Sequence, residues 1–178
     1  APIDALIRDL AEAANRARTV SETDAECVIE ALHRWAEADA LRDLQTVNAQ
    51  LSVPARVAGF ALAYLQIAPT ARARDQERAR RIETWLGDRA RASATWFETQ
   101  AGPRSARNNL RAWAGLAAAA AGRATETPAL LEWASQAFRV VACAADADGA
   151  LPREMERGPR ALQYQLHAVA PLVTTAAI

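Results

Sequence analysis

The run of five alanines from Ala117 to Ala121 constrains the fold more than any other stretch of this sequence. Alanine has the highest helix propensity of all residues and is depleted in β-strands. Gly122 follows the run directly, and glycine is the residue that most often ends a helix. This stretch therefore predicts an alanine-rich helix that ends near Gly122.

Apolar residues recur at helical spacing along the rest of the chain, and no stretch alternates as a half-buried strand would. Caps and prolines predict seven helices, which begin near Ile3, Ser21, Ser52, Ala71, Asn108, Thr127 and Gly158. Short connections between them favour successive antiparallel hairpins. We therefore predict an all-α fold in a single domain over residues 1–178, and periodicity leaves both a bundle and a curved ring open.

The spacing of the large apolar residues also predicts the buried face of each helix. Phe60 and Tyr64 are expected in the core from the third helix, and Trp85 from the fourth. In the last helix the expected buried residues are Leu162, Leu166, Val169 and Val173. Both cysteines, Cys27 and Cys143, fall within apolar patterns, which predicts buried free thiols.

Charge and composition exclude several classes of function. The formal net charge is zero, which argues against a nucleic-acid partner, and all 21 basic residues are arginine, which excludes a Schiff-base or P-loop lysine. No apolar run looks long and uncharged enough to span a membrane, so we expect no membrane insertion. His33 lacks a second ligand at zinc spacing, and the "DADG" turn lacks calcium ligands at both ends of a loop. We expect neither a metal nor a cofactor.

Three reactive side chains are spaced along the last predicted helix. Arg160, Tyr164 and His167 stand at positions i, i+4 and i+7, which places them in one column on a helix. The guanidinium can clamp a carboxylate, while the phenol and the imidazole can move protons. A solvated face with an amphipathic tyrosine explains the same spacing, and this alternative stays open.

Two adjacent asparagines open the alanine-rich helix in the stretch "NNLRAW". Asparagine is a favoured N-cap, so Asn108 and Asn109 are explained by capping alone. If Asn109 lies in the first helical turn, its amide shares a face with Trp113. An amide beside an indole suits a sugar ring, because the indole covers the apolar face and the amide binds polar groups. Both interpretations remain open on the pattern alone.

Several stretches resemble, in order, motifs of the alginate lyases of polysaccharide lyase family 5. "NNLRAW" (108–113) is similar to the family's Asn-Asn-His-x-Tyr-Trp motif, and "LPRE" (151–154) to its Leu-Pro-x-Glu segment. "RALQYQLHAVAPL" (160–172) resembles its Arg-Ala-Leu-x-Tyr motif and the Pro-Leu that follows, and "AECVIEALHRWAEADAL" (25–41) resembles an early helix. The resemblance implies an incomplete (α/α) toroid whose groove binds an acidic polysaccharide and supports β-elimination at a uronic acid.

The resemblance also implies roles for individual residues. Asn109 and Arg160 match the two residues that stabilise the uronate carboxylate, whose charge grows as the C5 proton leaves. Trp113 and Tyr164 match further positions near the groove. Asn108 and Glu154 belong to the same motifs and are expected, with Trp113 and Tyr164, to bind the substrate. The family further implies a periplasmic or secreted location.

Two departures from the family pattern affect the chemistry. Leu110 stands where the family has its catalytic histidine, and leucine cannot transfer a proton. His167 stands where the family has its catalytic tyrosine, and its unperturbed pKa is about 6.5. We therefore predict His167, Asn109 and Arg160 as the catalytic residues of a lyase acting on an alginate-like or glucuronan-like polymer. An inactive relative that binds acidic polysaccharide and a purely structural helical domain remain the alternatives.

The chain ends on the apolar segment "VTTAAI" without a cap or a polar tail. Family members generally continue well beyond the Pro-Leu motif. We therefore expect either a C-terminal extension that continues the last helix or an end that docks against another surface.

Overall fold

The computed structural model describes residues 2–18 and 22–178, and in these residues it contains eight α-helices and no strand. The helices are α1 (Pro2–Ala17), α2 (Glu22–Glu37), α3 (Val47–Arg74), α4 (Gln76–Thr99), α5 (Asn109–Ala124), α6 (Pro128–Ala142), α7 (Pro152–Met155) and α8 (Ala161–Ala177). Short 3-10 turns at Ser105–Arg107 and Gly158–Arg160 precede α5 and α8. The all-α prediction is confirmed.

The alanine-rich helix α5 lies at the centre of the fold. It packs against α3, α4, α6 and α8, and almost all of its residues are buried. Its small residues let α6 approach closely: a Cβ added at Gly122 would lie 3.0 Å from Cβ of Leu130, and one added at Gly115 would lie 3.1 Å from Cβ of Ala137. The alanine run thus gives both the helix and its tight packing.

An aromatic cluster joins α2, α3 and α4. The ring centroid of Phe60 lies 4.9 Å from that of Trp35 and 5.6 Å from that of Trp85, with tilted planes that suit aromatic pairs. The indole N–H of Trp85 donates to the carbonyl of Ala40 at 2.8 Å. Tyr64 is also buried, so the predicted core positions of the third and fourth helices are confirmed.

Two predicted helix boundaries were wrong. The third helix begins at Val47, because the hydroxyl of Thr46 caps it by accepting the N–H of Ala49 at 3.1 Å. The chain was expected to start its fourth helix near Ala71, but α3 continues to Arg74. Asp75 then caps α4 by accepting the N–H groups of Glu77 and Arg78 at 3.1 and 3.0 Å.

The predicted buried face of the last helix was also wrong. Leu162, Leu166, Val169 and Val173 are 71%, 59%, 36% and 64% exposed. The helix is instead turned so that Ala168 and Leu172 join a buried cluster with residues of α5 and α6. The Gln165 amide fixes this rotation, because it accepts the N–H of Leu151 at 2.9 Å and donates to the carbonyl of Gly149 at 3.1 Å.

Two further expectations need correction. Cys27 and Cys143 are free thiols, but both are exposed rather than buried. On α2, Val28 and Ile29 face the core beside Cys27, and Cys143 lies at the C-terminal end of α6. Within residues 2–18 and 22–178, one helix, α3, is also long and apolar enough to cross a membrane by length and composition. Its most apolar window is 56% buried inside the fold, and buried core helices pass the same test, so it is weak evidence for a membrane span.

Candidate active site

Four helices line a cavity of about 370 Å³, which we call the groove. It contains Trp113 and His167, two of the residues that the sequence singled out. The full lining is Asp4 and Ile7 from α1, Leu51, Ser52, Ala55 and Arg56 from α3, Leu110 and Trp113 from α5, and His167 from α8. The fold therefore brings residues that are distant in sequence to one concave surface.

Within the groove, the imidazole of His167 packs on the indole of Trp113. The ring centroids lie 5.2 Å apart with the planes tilted by 41°. Desolvation of the imidazole lowers the pKa of His167 below its usual value, and the charge of Glu154 offsets part of this shift. The imidazole is therefore mainly neutral at pH 7, which is the form that accepts a proton.

Asn108 acts as the N-cap of α5. Its side-chain oxygen accepts the N–H of Leu110 at 2.9 Å, and the residue is buried. The capping interpretation is therefore correct for Asn108. Its buried position gives it no direct access to a polymer in the groove.

Asn109 is held by Glu154 at two points. One carboxylate oxygen of Glu154 accepts the backbone N–H of Asn109 at 2.7 Å, and the other accepts the Asn109 side-chain amide at 2.9 Å. Both residues are only 1% exposed. Glu154 was expected to bind the substrate, but its side chain lies in the interior and contacts Asn109 instead. Asn109 itself lies directly before Leu110, which lines the groove.

Leu110 occupies the groove where the family pattern has a histidine. It packs beside a buried cluster formed by Trp96, Phe97 and Ala114. The side chain of Leu110 makes this wall of the groove apolar, and it can neither donate nor accept a proton. His167 is therefore the titratable ring that lines the groove.

The predicted column of Arg160, Tyr164 and His167 is only partly assembled. Tyr164 lies next to His167 in the wall of a neighbouring cavity of about 450 Å³. The guanidinium of Arg157 covers the Tyr164 ring, with 4.6 Å between its central carbon and the ring centroid. Arg160 ends the 3-10 turn before α8, is exposed and lines neither cavity.

The sequence interpretation missed Arg56. Its Nη1 donates to the carbonyl of Ser52 at 2.8 Å, and its Nη2 lies 3.3 Å from a carboxylate oxygen of Asp4. One signal was available, because Arg56 is the one charged residue between Asp43 and Arg72. A charged side chain within such an apolar stretch suggests a specific partner or role. The spacing of residues in the sequence could not show that Arg56 lies near Trp113 and His167.

Metal-binding groups are not gathered in this site. Across residues 2–18 and 22–178, no group of three or more histidine, cysteine, aspartate or glutamate side chains is placed to hold a metal ion.

Known proteins resemble this chain along nearly its whole length. The sequence model of a family described as alginate lyase matches residues 4–178. The chain is 36% identical over 181 residues to a polysaccharide lyase of Stenotrophomonas maltophilia, and the alignment covers 99% of this chain and 53% of that protein. It is 35% identical over 161 residues to an alginate lyase of Azotobacter vinelandii, which covers 86% of this chain and 42% of that protein.

Solved structures give the same result. The crystal structure of alginate lyase A1-III from Sphingomonas species A1 matches with a TM-score of 0.82 at 26% identity, over 99% of this chain and 52% of that one. A variant of the same lyase in complex with a tetrasaccharide matches with a TM-score of 0.84. These matches confirm the predicted incomplete (α/α) toroid. The chain spans about half the length of the relatives that it matches.

Proposed function

Because this chain belongs to the alginate lyase family, we propose that its groove binds an acidic uronic-acid polymer and cleaves it by β-elimination. The observation that carries this proposal is the position of His167, whose imidazole packs on the indole of Trp113 in the groove. This arrangement places a proton acceptor beside an aromatic surface on which a sugar ring can stack.

In the proposed reaction, His167 accepts the C5 proton of a uronate residue. The electron pair of the broken C5–H bond forms the C4=C5 double bond, and the C4–O4 bond breaks. The protonated imidazole then returns its proton to the departing O4, so that one residue serves as base and acid. This sequence requires that C5–H and O4 lie on the same side of the sugar, which favours a polymannuronate-like or glucuronan-like substrate.

The polymer carboxylate must be neutralised while the C5 proton leaves. Asn109 and Arg160 remain the predicted residues for this step, as the family pattern implies. In this chain Glu154 accepts one N–H of the Asn109 side-chain amide and fixes its orientation, so the second N–H is the donor assigned to this step. Arg160 is exposed and can approach an incoming polymer from the start of α8.

The relatives support the substrate class. Two of them are described as a polysaccharide lyase and an alginate lyase, and A1-III has been solved with a tetrasaccharide. The choice between alginate and a related uronic-acid polymer belongs to the proposal. We also propose a periplasmic or secreted location, which fractionation of the native cells would test.

A second candidate function is binding of acidic polysaccharide without cleavage. Leu110 favours it, because this residue removes a proton-transfer group from the groove. The two functions differ in one measurable product, the unsaturated uronate end.

The test is incubation of the purified protein with polymannuronate, polyguluronate and polyglucuronate. Unsaturated ends are followed by their ultraviolet absorbance, and polymer retention is measured in parallel. A rise in absorbance on polymannuronate or polyglucuronate supports the lyase. Retention without a rise supports the binding function, and the absence of both rejects the two proposals.

A further inference from the structure

We propose that Arg56 binds a carboxylate of the polymer from the α3 side of the groove and thereby sets the preference for acidic polymers. This proposal rests on the proposed function, because it assigns a recognition residue within the same groove. The residue belongs to no motif by which the chain resembles its family.

The position of Arg56 carries the proposal. It lines the same cavity as Trp113 and His167, and it is the one arginine in that lining within the described part of the chain. A uronate polymer carries one carboxylate on every sugar. A polymer stacked on Trp113 therefore brings carboxylates into a cavity whose wall carries the guanidinium of Arg56.

The geometry of Arg56 suits recognition of a carboxylate. Its Nη1 donates to the carbonyl oxygen of Ser52, one helical turn earlier on α3, at 2.8 Å. This hydrogen bond fixes the position of the guanidinium. A guanidinium carries five N–H donors in a planar fork, so one backbone contact leaves donors that can meet a carboxylate at two points. The side chain is 24% exposed, which leaves it open to the groove while its stem is packed.

Asp4 forms the ion pair with Arg56 that the polymer carboxylate would form in the complex. Its carboxylate oxygen lies 3.3 Å from Nη2 of Arg56, and its side chain is 50% exposed. Ion pairs of this kind contribute little free energy because water and salt screen them. An incoming carboxylate can therefore share or replace this contact at small cost, and Asp4 acts as a competitor for the same guanidinium.

The other candidate donors leave this role open. Asn109 is buried, carries no charge, and has one of its two amide hydrogens bound by Glu154. Arg160 lies outside the groove lining. Arg56 thus supplies the fixed positive charge that the groove itself presents to a polymer.

The test measures binding of tetramers of mannuronate, guluronate and glucuronate by calorimetry. It uses chains that carry His167→Ala, so that no turnover disturbs the measurement. Arg56→Gln should weaken the binding about tenfold, which corresponds to about 1.4 kcal/mol. Asp4→Asn should strengthen it, because the competing carboxylate is gone. The matched control is Arg34→Gln, since Arg34 is an exposed helical arginine that pairs with Glu30 at 2.7 Å on α2.

Carboxyl-reduced tetramers separate charge recognition from a structural role. Arg56→Gln should not change the affinity for them, whereas a distorted groove would weaken both forms equally. Arg56→Lys keeps the charge but loses the fork, and it should fall between the parent and Arg56→Gln. Equal affinity of Arg56→Gln and Arg34→Gln for the acidic tetramers would overturn the proposal for Arg56. Failure of the parent to bind any tetramer would instead reject the proposed function of the groove.

Discussion

Asn109 and Glu154 form a two-point hydrogen bond between the first turn of α5 and the short helix α7. The backbone N–H and the side-chain amide of Asn109 donate to the two carboxylate oxygens of Glu154 at 2.7 and 2.9 Å. The contact joins segments that are 45 residues apart and fixes the residue that precedes Leu110 in the groove. It also ties the short helix α7 to the N-terminal end of α5.

Removal of the Glu154 charge should destabilise the fold. In Glu154→Gln, the new amide can accept from one Asn109 donor but turns its own N–H toward the other, so one buried donor loses its partner. We expect the free energy of unfolding to fall by about 2 kcal/mol, measured by urea denaturation. The matched control is Glu156→Gln, which affects an exposed ion pair with Arg104 at 3.1 Å and should change stability by less than about 0.5 kcal/mol. Equal effects of the two variants would contradict a structural role for the Asn109–Glu154 bond.

The pH dependence of cleavage should carry the signature of His167. Desolvation lowers its pKa, so the neutral base should persist somewhat below the unperturbed value of about 6.5. The acidic limb of kcat/KM should therefore have its midpoint below about 6.5, whereas a tyrosine base would place the limb near 10. The same shift affects folding: the contribution of His167 to stability is complete above the unfolded pKa and is lost as the pH falls through the lowered folded pKa. A rise of kcat/KM with its midpoint near pH 10 would exclude His167 as the base.

The indole of Trp113 should be one cause of the lowered pKa of His167. Trp113→Ala opens one face of the imidazole to water, so the pKa of His167 should rise toward its usual value, as measured by NMR titration of the ring protons. Trp113→Phe keeps an aromatic face and should change the pKa less. An unchanged His167 titration in Trp113→Ala would show that the indole does not desolvate the ring.

The close packing of α5 on α6 should tolerate no added side chain at Gly122. A Cβ there would lie 3.0 to 3.2 Å from atoms of Leu130 and Leu131, so Gly122→Val overpacks this contact. We expect a loss of about 2 kcal/mol in the free energy of unfolding, since overpacking typically costs 1–3 kcal/mol. Gly102→Val is the control, because nothing lies within 4 Å of a Cβ at that position. Similar losses for the two variants would contradict the packing argument.

Much of the fold could be predicted because it depends on local patterns. The alanine run, the helix caps and the 3.6-residue spacing of Phe60 and Tyr64 predicted seven of the eight α-helices in residues 2–18 and 22–178, but not the short helix α7. They also predicted the core positions of the third and fourth helices. The rotation of α8 could not be predicted in this way, because it depends on the Gln165 contacts with a distant loop segment. The larger side chains of α8 were expected to be buried, but Ala168 and Leu172 pack in a cluster with residues of α5 and α6 instead.

Sequence motifs singled out part of the candidate site. Motif resemblance identified Trp113 and His167, and the structure brings them into contact. It also identified Asn109 and Glu154 but not their mutual bond, because a pairing across 45 residues leaves no trace in spacing. Arg56 was missed for the same reason, since only the packing of α3 on α5 brings it to the cavity that Trp113 and His167 also line.

The most direct test of the account is to compare His167→Ala with His33→Ala in the ultraviolet assay for unsaturated uronate ends. The substrate is whichever of the three polymers the parent chain cleaves. His33 is the matched control, because it is the other histidine of the chain and contacts Glu37 at 3.6 Å outside the groove. The account predicts that His167→Ala abolishes the rise in absorbance yet still retains the polymer, while His33→Ala cleaves as the parent does. Cleavage by His167→Ala at the parent rate would contradict the assignment of His167 as the catalytic base.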